Sequence, residues 1–178
     1  STGMTIPVVS LNYSGGVATV TNLPAREAAY FRVQVPDNSP GWKLKLAPTV
    51  GEAMLLVLSN RAPNVDSGQF VHVRSGKLLQ KAGNEHHLLL PFPGQSSLFP
   101  GTYYLAAVSE GVNPASDTRI GLGASSFTLT SFGDVPVSDL GVVSLTDTVR
   151  NESLEGGESR AYQFTIPPGT PAIELSLS

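Results

Sequence analysis

The stretch Tyr30-Phe31-Arg32-Val33-Gln34-Val35-Pro36-Asp37-Asn38-Ser39-Pro40-Gly41-Trp42-Lys43-Leu44-Lys45-Leu46 carries two alternating runs around one turn-rich segment. Successive side chains of a β-strand point to opposite faces, so Phe31, Val33 and Val35 share one face and Tyr30, Arg32 and Gln34 the other. In the second run Trp42, Leu44 and Leu46 face inward and two lysines take the wet side. Pro, Asp, Asn, Ser and Gly fill the six positions between, the residues that supply turn conformations and backbone-capping side chains. The pair reads as a hairpin with a long loop.

The same alternation and punctuation continue outward. Further strand candidates are Val17 to Thr21, Ala53 to Ser59, Gln69 to Arg74, His86 to Leu90, Gly101 to Val108 and Ser126 to Thr130, separated by Gly, Pro, Asn or Asp. No window of eleven or more residues sustains a helical apolar period with caps at its ends. Regularly spaced short strands predict an all-β fold, an antiparallel β-sandwich of jelly-roll type. Composition agrees: 18 glycines, 14 prolines and only 14% charged residues suit tight turns better than helix surfaces.

Composition also removes several function classes. The 178 residues, 40% of them hydrophobic, suffice for one core and a fraction of another. A net charge of -3 and no cluster of Lys or Arg give no field for phosphates, so nucleic acid is not an expected partner. The longest apolar runs, Ala53 to Leu58 and Tyr103 to Val108, fall far short of the roughly 20 residues of a membrane helix. No basic n-region and apolar run open the chain as a signal peptide would. With no cysteine, disulfides, thiol nucleophiles and thiolate metal sites are excluded.

The end of the chain repeats its beginning. Leu154, Glu158, Phe164, Ile166 and Pro167 stand over Leu23, Glu27, Val33, Val35 and Pro36 at a constant spacing of 131 residues. Pro171 falls on Pro40, and Ile173, Leu175 and Leu177 fall on Trp42, Leu44 and Leu46, so the parity of two strands and the turn between them persists. Residues 1–135 therefore read as one complete module and 136–178 as the first third of another, with the boundary near Phe132 to Asp139. About 40 residues cannot offset, from their own burial, an ordering cost of roughly 1.5 kcal/mol each. The tail, 142–178, is expected to pair with its own module or, by exchange, with another chain.

Candidate sites are few. His86 and His87 are adjacent, so in a strand they face opposite sides and cannot both reach one metal; with Glu85 they read as a solvated strand edge. No serine lies in Gly-x-Ser-x-Gly, no Ser, His and Asp grouping stands out, and Gly121 and Gly123 lack the strand-to-helix context of a dinucleotide site. The chain reads as non-catalytic, with no cofactor called for. Asp37 with Asn38, Asn64 with Asp66 and Asn113 with Asp117 could offer oxygen ligands to calcium, but such residues more commonly close turns through their own backbone. Glu27 and Glu158, equivalent in the repeat, suggest acceptance of backbone donors in a loop.

Exposed rings are the usual platform for sugars and fibrous proteins, since they bring area at low entropic cost. Trp42 is set aside, because Ile173 replaces it in the repeat and an aliphatic substitute implies core packing. Tyr30, Tyr103 and Tyr104 are the ligand-binding candidates. The last two are adjacent, so one is expected in the core and the other outside.

The alternating strand with Val35-Pro36, the Met54-Leu55-Leu56-Val57-Leu58-Ser59 run, the loop Ala62 to Asp66, Glu85-His86-His87-Leu88-Leu89-Leu90 and Pro100-Gly101-Thr102-Tyr103-Tyr104-Leu105-Ala106-Ala107-Val108 together resemble the bacterial pre-peptidase C-terminal domain family, over residues 15–132. The resemblance implies a jelly-roll-like accessory module of a large secreted or cell-surface bacterial protein, extracellular in location. It implies adhesive or spacer work, with polysaccharide or an extracellular fibrous protein as partner; the alternative is an accessory domain of a secreted peptidase, removed or used for substrate targeting. Related collagen-binding modules carry a calcium site rich in acids ahead of the first strand. This chain departs from them, because Leu11 to Asn22 contains no acid.

Overall fold

The structure, a computed structural model, describes residues 6–63, 83–115, 121–143 and 151–176. The predicted strand Gln69 to Arg74, together with His72, Asn64, Asp66, Asp117 and Leu177, lies outside the described residues. Ten strands run in chain order: β1 Val8–Leu11, β2 Ser14–Pro24, β3 Ala28–Val35, β4 Trp42–Val50, β5 Glu52–Ser59, β6 Glu85–Leu89, β7 Gly101–Gly111, β8 Ala124–Gly133, β9 Val137–Val142 and β10 Ala161–Thr165. No helix occurs among the described residues, so these hold no helix long and apolar enough to cross a membrane.

Two four-stranded sheets face each other, one ordered β1-β3-β7-β5 and the other β2-β8-β4-β6. All pairings within them are antiparallel except β1 with β3. The fold is thus an all-β, largely antiparallel sandwich, the class expected from the sequence. Its core obeys strand parity. Phe31, Val33 and Val35 of β3, Leu55 and Val57 of β5, and Leu105 and Ala107 of β7 meet Trp42, Leu44 and Leu46 of β4 and Phe127 and Leu129 of β8, all essentially inaccessible. Each fully buried large side chain contributes roughly 1.5–3 kcal/mol by leaving water.

The β3–β4 hairpin predicted from sequence is not one. β3 bonds to β1 and β7, whereas β4 bonds to β8 and β6, so the segment between them crosses from one sheet to the other. The alternating pattern fixes which side of each strand is apolar, and two strands of facing sheets satisfy it as well as two strands of one. The crossing is held by Asn38 in the left-handed region (φ 60°) and by the buried Ser39, whose Oγ donates to Pro36 O at 2.9 Å.

Several polar groups inside the sandwich are matched by hydrogen bonds. Trp42 packs edge-on to Tyr103, with ring centroids 5.6 Å apart, and its Nε1 donates to Ser131 Oγ at 2.9 Å. Ser131 in turn donates to Tyr13 O. Near the far end of the sheets Ser109 Oγ donates to Ser125 Oγ at 2.8 Å, and Ser125 Oγ donates to Glu52 O at 2.6 Å, across the irregularity between Glu52 and Ala53. These buried serines serve as backbone acceptors and donors where the ladders break.

Beyond Gly133 a third, smaller sheet pairs β9 with β10 in parallel. Val137 stands opposite Ala161, as Val8 stands opposite Tyr30 in the β1–β3 pair. Positions spaced by 131 residues also share local geometry. Arg26 and Asn38 have positive φ, and Gly157 and Gly169 stand in their places, also with positive φ. Glu27 N donates to Pro24 O and Glu158 N to Glu155 O; Ser39 Oγ donates to Pro36 O and Thr170 Oγ1 to Pro167 O.

Candidate functional site

Each main sheet carries one distinctive surface on its outer side. On the outer side of β1-β3-β7-β5 the register sets rows across the strands: Ser10, Arg32, Tyr104 and Leu58 form one row, and Val8, Tyr30, Ala106 and Leu56 the next. Tyr30 and Tyr104 thus stand on the same face in adjacent rows, both partly exposed, while Ala106 and Leu56 in the row of Tyr30 are fully buried. Arg32 Nε donates to Ser10 Oγ at 2.8 Å, and Thr102 Oγ1 donates to Gln34 Oε1 at 2.9 Å, so the polar groups beside the rings are held in fixed positions. Rigid rings with oriented donors and acceptors at their edges can stack on a flat apolar group and bond its rim.

Tyr103 belongs elsewhere. It is 4% exposed and lies in the core against Trp42, with its hydroxyl donating to Phe99 O at 3.1 Å and its pKa raised by burial. Of the three candidate tyrosines only Tyr30 and Tyr104 can meet a ligand on the surface. Trp42, fully buried, is a core residue as its aliphatic counterpart Ile173 suggested. Arg32, Gln34, Thr102 and Ser10 were not singled out from sequence; the signal was present in the strand parity that put Arg32 and Gln34 beside Tyr30.

The second surface lies on the outer side of β4 and β6, where Lys43 and Lys45 share a face with His86 and Leu88. The turn 154–158 carries its acids onto it. Glu155 Oε2 accepts from Asn84 Nδ2 at 2.8 Å and Lys45 Nζ at 3.0 Å, and lies 2.8 Å from His86 Nε2. Glu158 Oε1 pairs with Lys43 Nζ at 3.1 Å and Arg160 Nε at 3.5 Å, while its Oε2 accepts from Glu155 N at 3.1 Å. Lys43 also stands 5.8 Å from the centre of the exposed Phe132 ring. Hydrogen bonds from Asn84, Lys45 and His86 hold the Glu155 carboxyl down to about 2, and the Glu155 backbone donor and Lys43 lower that of Glu158. Acceptance of a backbone donor by Glu158 matches the loop role read from the repeat. No such bond is made by the Glu27 side chain among the described residues.

The histidines correct an expectation. Among the described residues β6 ends its sheet, but Glu85, His86 and His87 are 0%, 6% and 1% exposed, so they are not solvated. Parity explains it: Glu85, His87 and Leu89 pair with Leu46, Leu44 and Trp42 and turn inward, while His86 is covered from outside by Glu155. Sequence proximity of two histidines revealed their opposite faces but not that both faces would be covered. Among the described residues no group of three or more His, Asp or Glu side chains could hold a metal ion.

Where the sandwich meets the segment leading to β9, Tyr13 OH lies 2.9 Å from Gly41 O and 2.7 Å from Asp134 Oδ1. Its pKa is pushed up to about 12, chiefly by burial and further by Asp134. The phenol stays protonated and tethers the start of the connection to β9. No family model, curated protein or solved structure matches this chain.

Proposed function

We propose that the chain is a non-catalytic accessory module of a large secreted or cell-surface bacterial protein, with 1–135 as one β-sandwich module and 136–178 as the start of a second. The observation that carries the modular reading is the coincidence of turn bonds, positive-φ positions and a parallel strand pair in two distant segments of the chain. A sequence spacing alone could arise from shared β-strand parity; shared capping bonds at the same spacing require the same turn. The likeness to pre-peptidase C-terminal domains in the strand bearing Pro100-Gly101-Thr102-Tyr103-Tyr104 supports the accessory role.

The binding reading rests on the outer face of β3 and β7. Tyr30, Tyr104 and Arg32 form a strip suited to the flat faces of sugar rings or to the proline-rich surface of a fibrous protein, through stacking and edge hydrogen bonds. Glycan arrays and collagen pull-down with the native chain and with the Tyr30→Ala/Tyr104→Ala double variant test it. Binding by the native chain that drops at least tenfold in the variant is expected, while Tyr103→Phe, which keeps the core ring, leaves it unchanged. Binding that survives loss of both outer rings would rule this face out as the platform, and no binding at all would leave the module a spacer.

A further inference from the structure

The outer side of β4 and β6 is arranged around two carboxylates. Lys43 and Lys45 leave β4 on the same side, two residues and so roughly 7 Å apart along the strand. His86 stands opposite Lys45, and Asn84 lies just before β6. Lys45, His86 and Asn84 converge on Glu155 Oε2 at 3.0, 2.8 and 2.8 Å, and Lys43 reaches Glu158 Oε1 at 3.1 Å. These donors are held in place: the His86 side chain is 6% exposed, those of Lys43 and Lys45 are 16% and 25% exposed, and Lys43 also rests over the Phe132 ring. A cation steadied by a ring loses less freedom when an anion arrives, and a partly dried ion pair is screened less by salt than one in open water.

The segment seated there is a turn that presents acids. In Glu155-Gly156-Gly157-Glu158 the Glu158 N–H donates to Glu155 O at 2.9 Å, and the Glu155 N–H donates to Glu158 Oε2 at 3.1 Å. Gly157, at φ 82°, takes a conformation that a β-carbon disfavours. The turn thereby holds its two carboxylates toward the two lysines. Its described contacts with the site are ion pairs and hydrogen bonds, and the neighbouring Leu154 stays 52% exposed, adding no buried apolar side chain. An occupant held in this way exchanges with a competitor of the same chemistry.

We propose that the outer side of β4 and β6 is a binding site for an acidic peptide turn of a partner protein, bearing two carboxylates three residues apart, and that residues 155–158 are its tethered occupant. The ligand chemistry follows from the donors. Three of them meet one carboxylate oxygen at Lys45, and a single ammonium takes the second carboxylate at Lys43, so the separation of the two lysines sets the separation of the acids. A compact acidic turn suits this site better than a long polyanion, because the chain as a whole carries a net charge of -3 and repels extended negative charge. Tethering keeps the site filled until a partner presents its turn at a local concentration above that of the tethered one, so the site answers to linked or crowded partners and ignores dilute ones. The proposal is independent of the aromatic strip on the other sheet.

The test is a titration of the full chain, followed by its amide and side-chain NMR signals, with a synthetic peptide of residues 151–161. A control peptide carries Glu155→Gln and Glu158→Gln, and polygalacturonate serves as the polyanion arm. The same two substitutions in the full chain open the site, and unchanged core resonances of β4 and β8 show that this variant is folded. Peptide at millimolar concentration should shift Lys43, Lys45, Asn84 and His86 of the variant saturably and at least tenfold more tightly than in the native chain, with the control peptide inert. On the native chain, excess peptide should move the Gly157 amide from its docked to its free position, a readout that does not depend on the variant. Absence of a saturable shift at these residues in either chain overturns the proposal. Equal affinity in both chains overturns it too, since the tethered turn would then not be the occupant, as does binding of polygalacturonate in place of the peptide.

Discussion

Glu155 shows how much one carboxylate can organise when its partners come from different strands. Asn84 precedes β6, His86 lies within it, and Lys45 belongs to β4, yet all three reach one carboxylate. With its pKa lowered to about 2 from an ordinary 4.5, this contact favours the docked turn fully above about pH 4.5 and is lost as pH falls toward 2. Glu158, lowered in the same direction, adds to the loss in acid. The side-chain resonances of Lys45 and His86 should therefore move from docked toward free positions across that window, and Glu155→Gln should leave them near the free positions at neutral pH. Resonances that ignore both acid and the substitution would mean the turn is held by something else. None of this was legible beforehand: the sequence put Lys43 and Lys45 on a wet face, and strand parity says nothing of which acid reaches across to them. By contrast Trp42 was legible, because its counterpart Ile173 could keep an apolar site but not a ring-stacking one.

At the scale of elements, strand parity carried most of what could be read. Seven predicted strands fall within described residues, and their apolar faces are the ones that close the core. Their partners were less accessible to reading, because pairing depends on which sheet a strand enters after a turn, and the 36–41 segment sends β4 across the core instead of back along β3. β1 and β9, short edge strands without sustained alternation, left no pattern to recognise. The crossing turn makes its own prediction. A β-carbon at φ 60° costs roughly 1–2 kcal/mol in residues other than Gly and Asn. Asn38→Ala should lower stability by about 1 kcal/mol and Asn38→Gly by much less, as Gly169 at the corresponding place suggests. Equal destabilisation by both in urea unfolding would show that the Asn side chain, not its backbone conformation, holds the turn.

At the scale of the whole molecule, two kinds of polar contact among the described residues join the sandwich to the C-terminal segment: the Tyr13–Asp134 bond at the connection and the acidic turn over Lys43, Lys45 and His86. Tyr13 packs against the core from its edge, but neither contact adds a residue of the C-terminal segment to the core, whose described buried members all lie between Phe31 and Leu129. The sandwich is therefore expected to fold without the C-terminal segment, whose described contacts with it are polar and weaken with salt and acid more readily than apolar burial does. The repeat exposed this division in the sequence, while the docking face stayed hidden because it depends on three-dimensional proximity. Self-sufficiency of the sandwich is decided by comparing two-dimensional amide spectra and thermal unfolding of the full chain with those of a chain ending at Asp134. The shorter chain should fold cooperatively, with core resonances of β3, β5, β7 and β8 unchanged and shifts confined to the outer side of β4 and β6. A collapsed spectrum, or shifts spread through the core, would show instead that the sandwich depends on the segment docked against it.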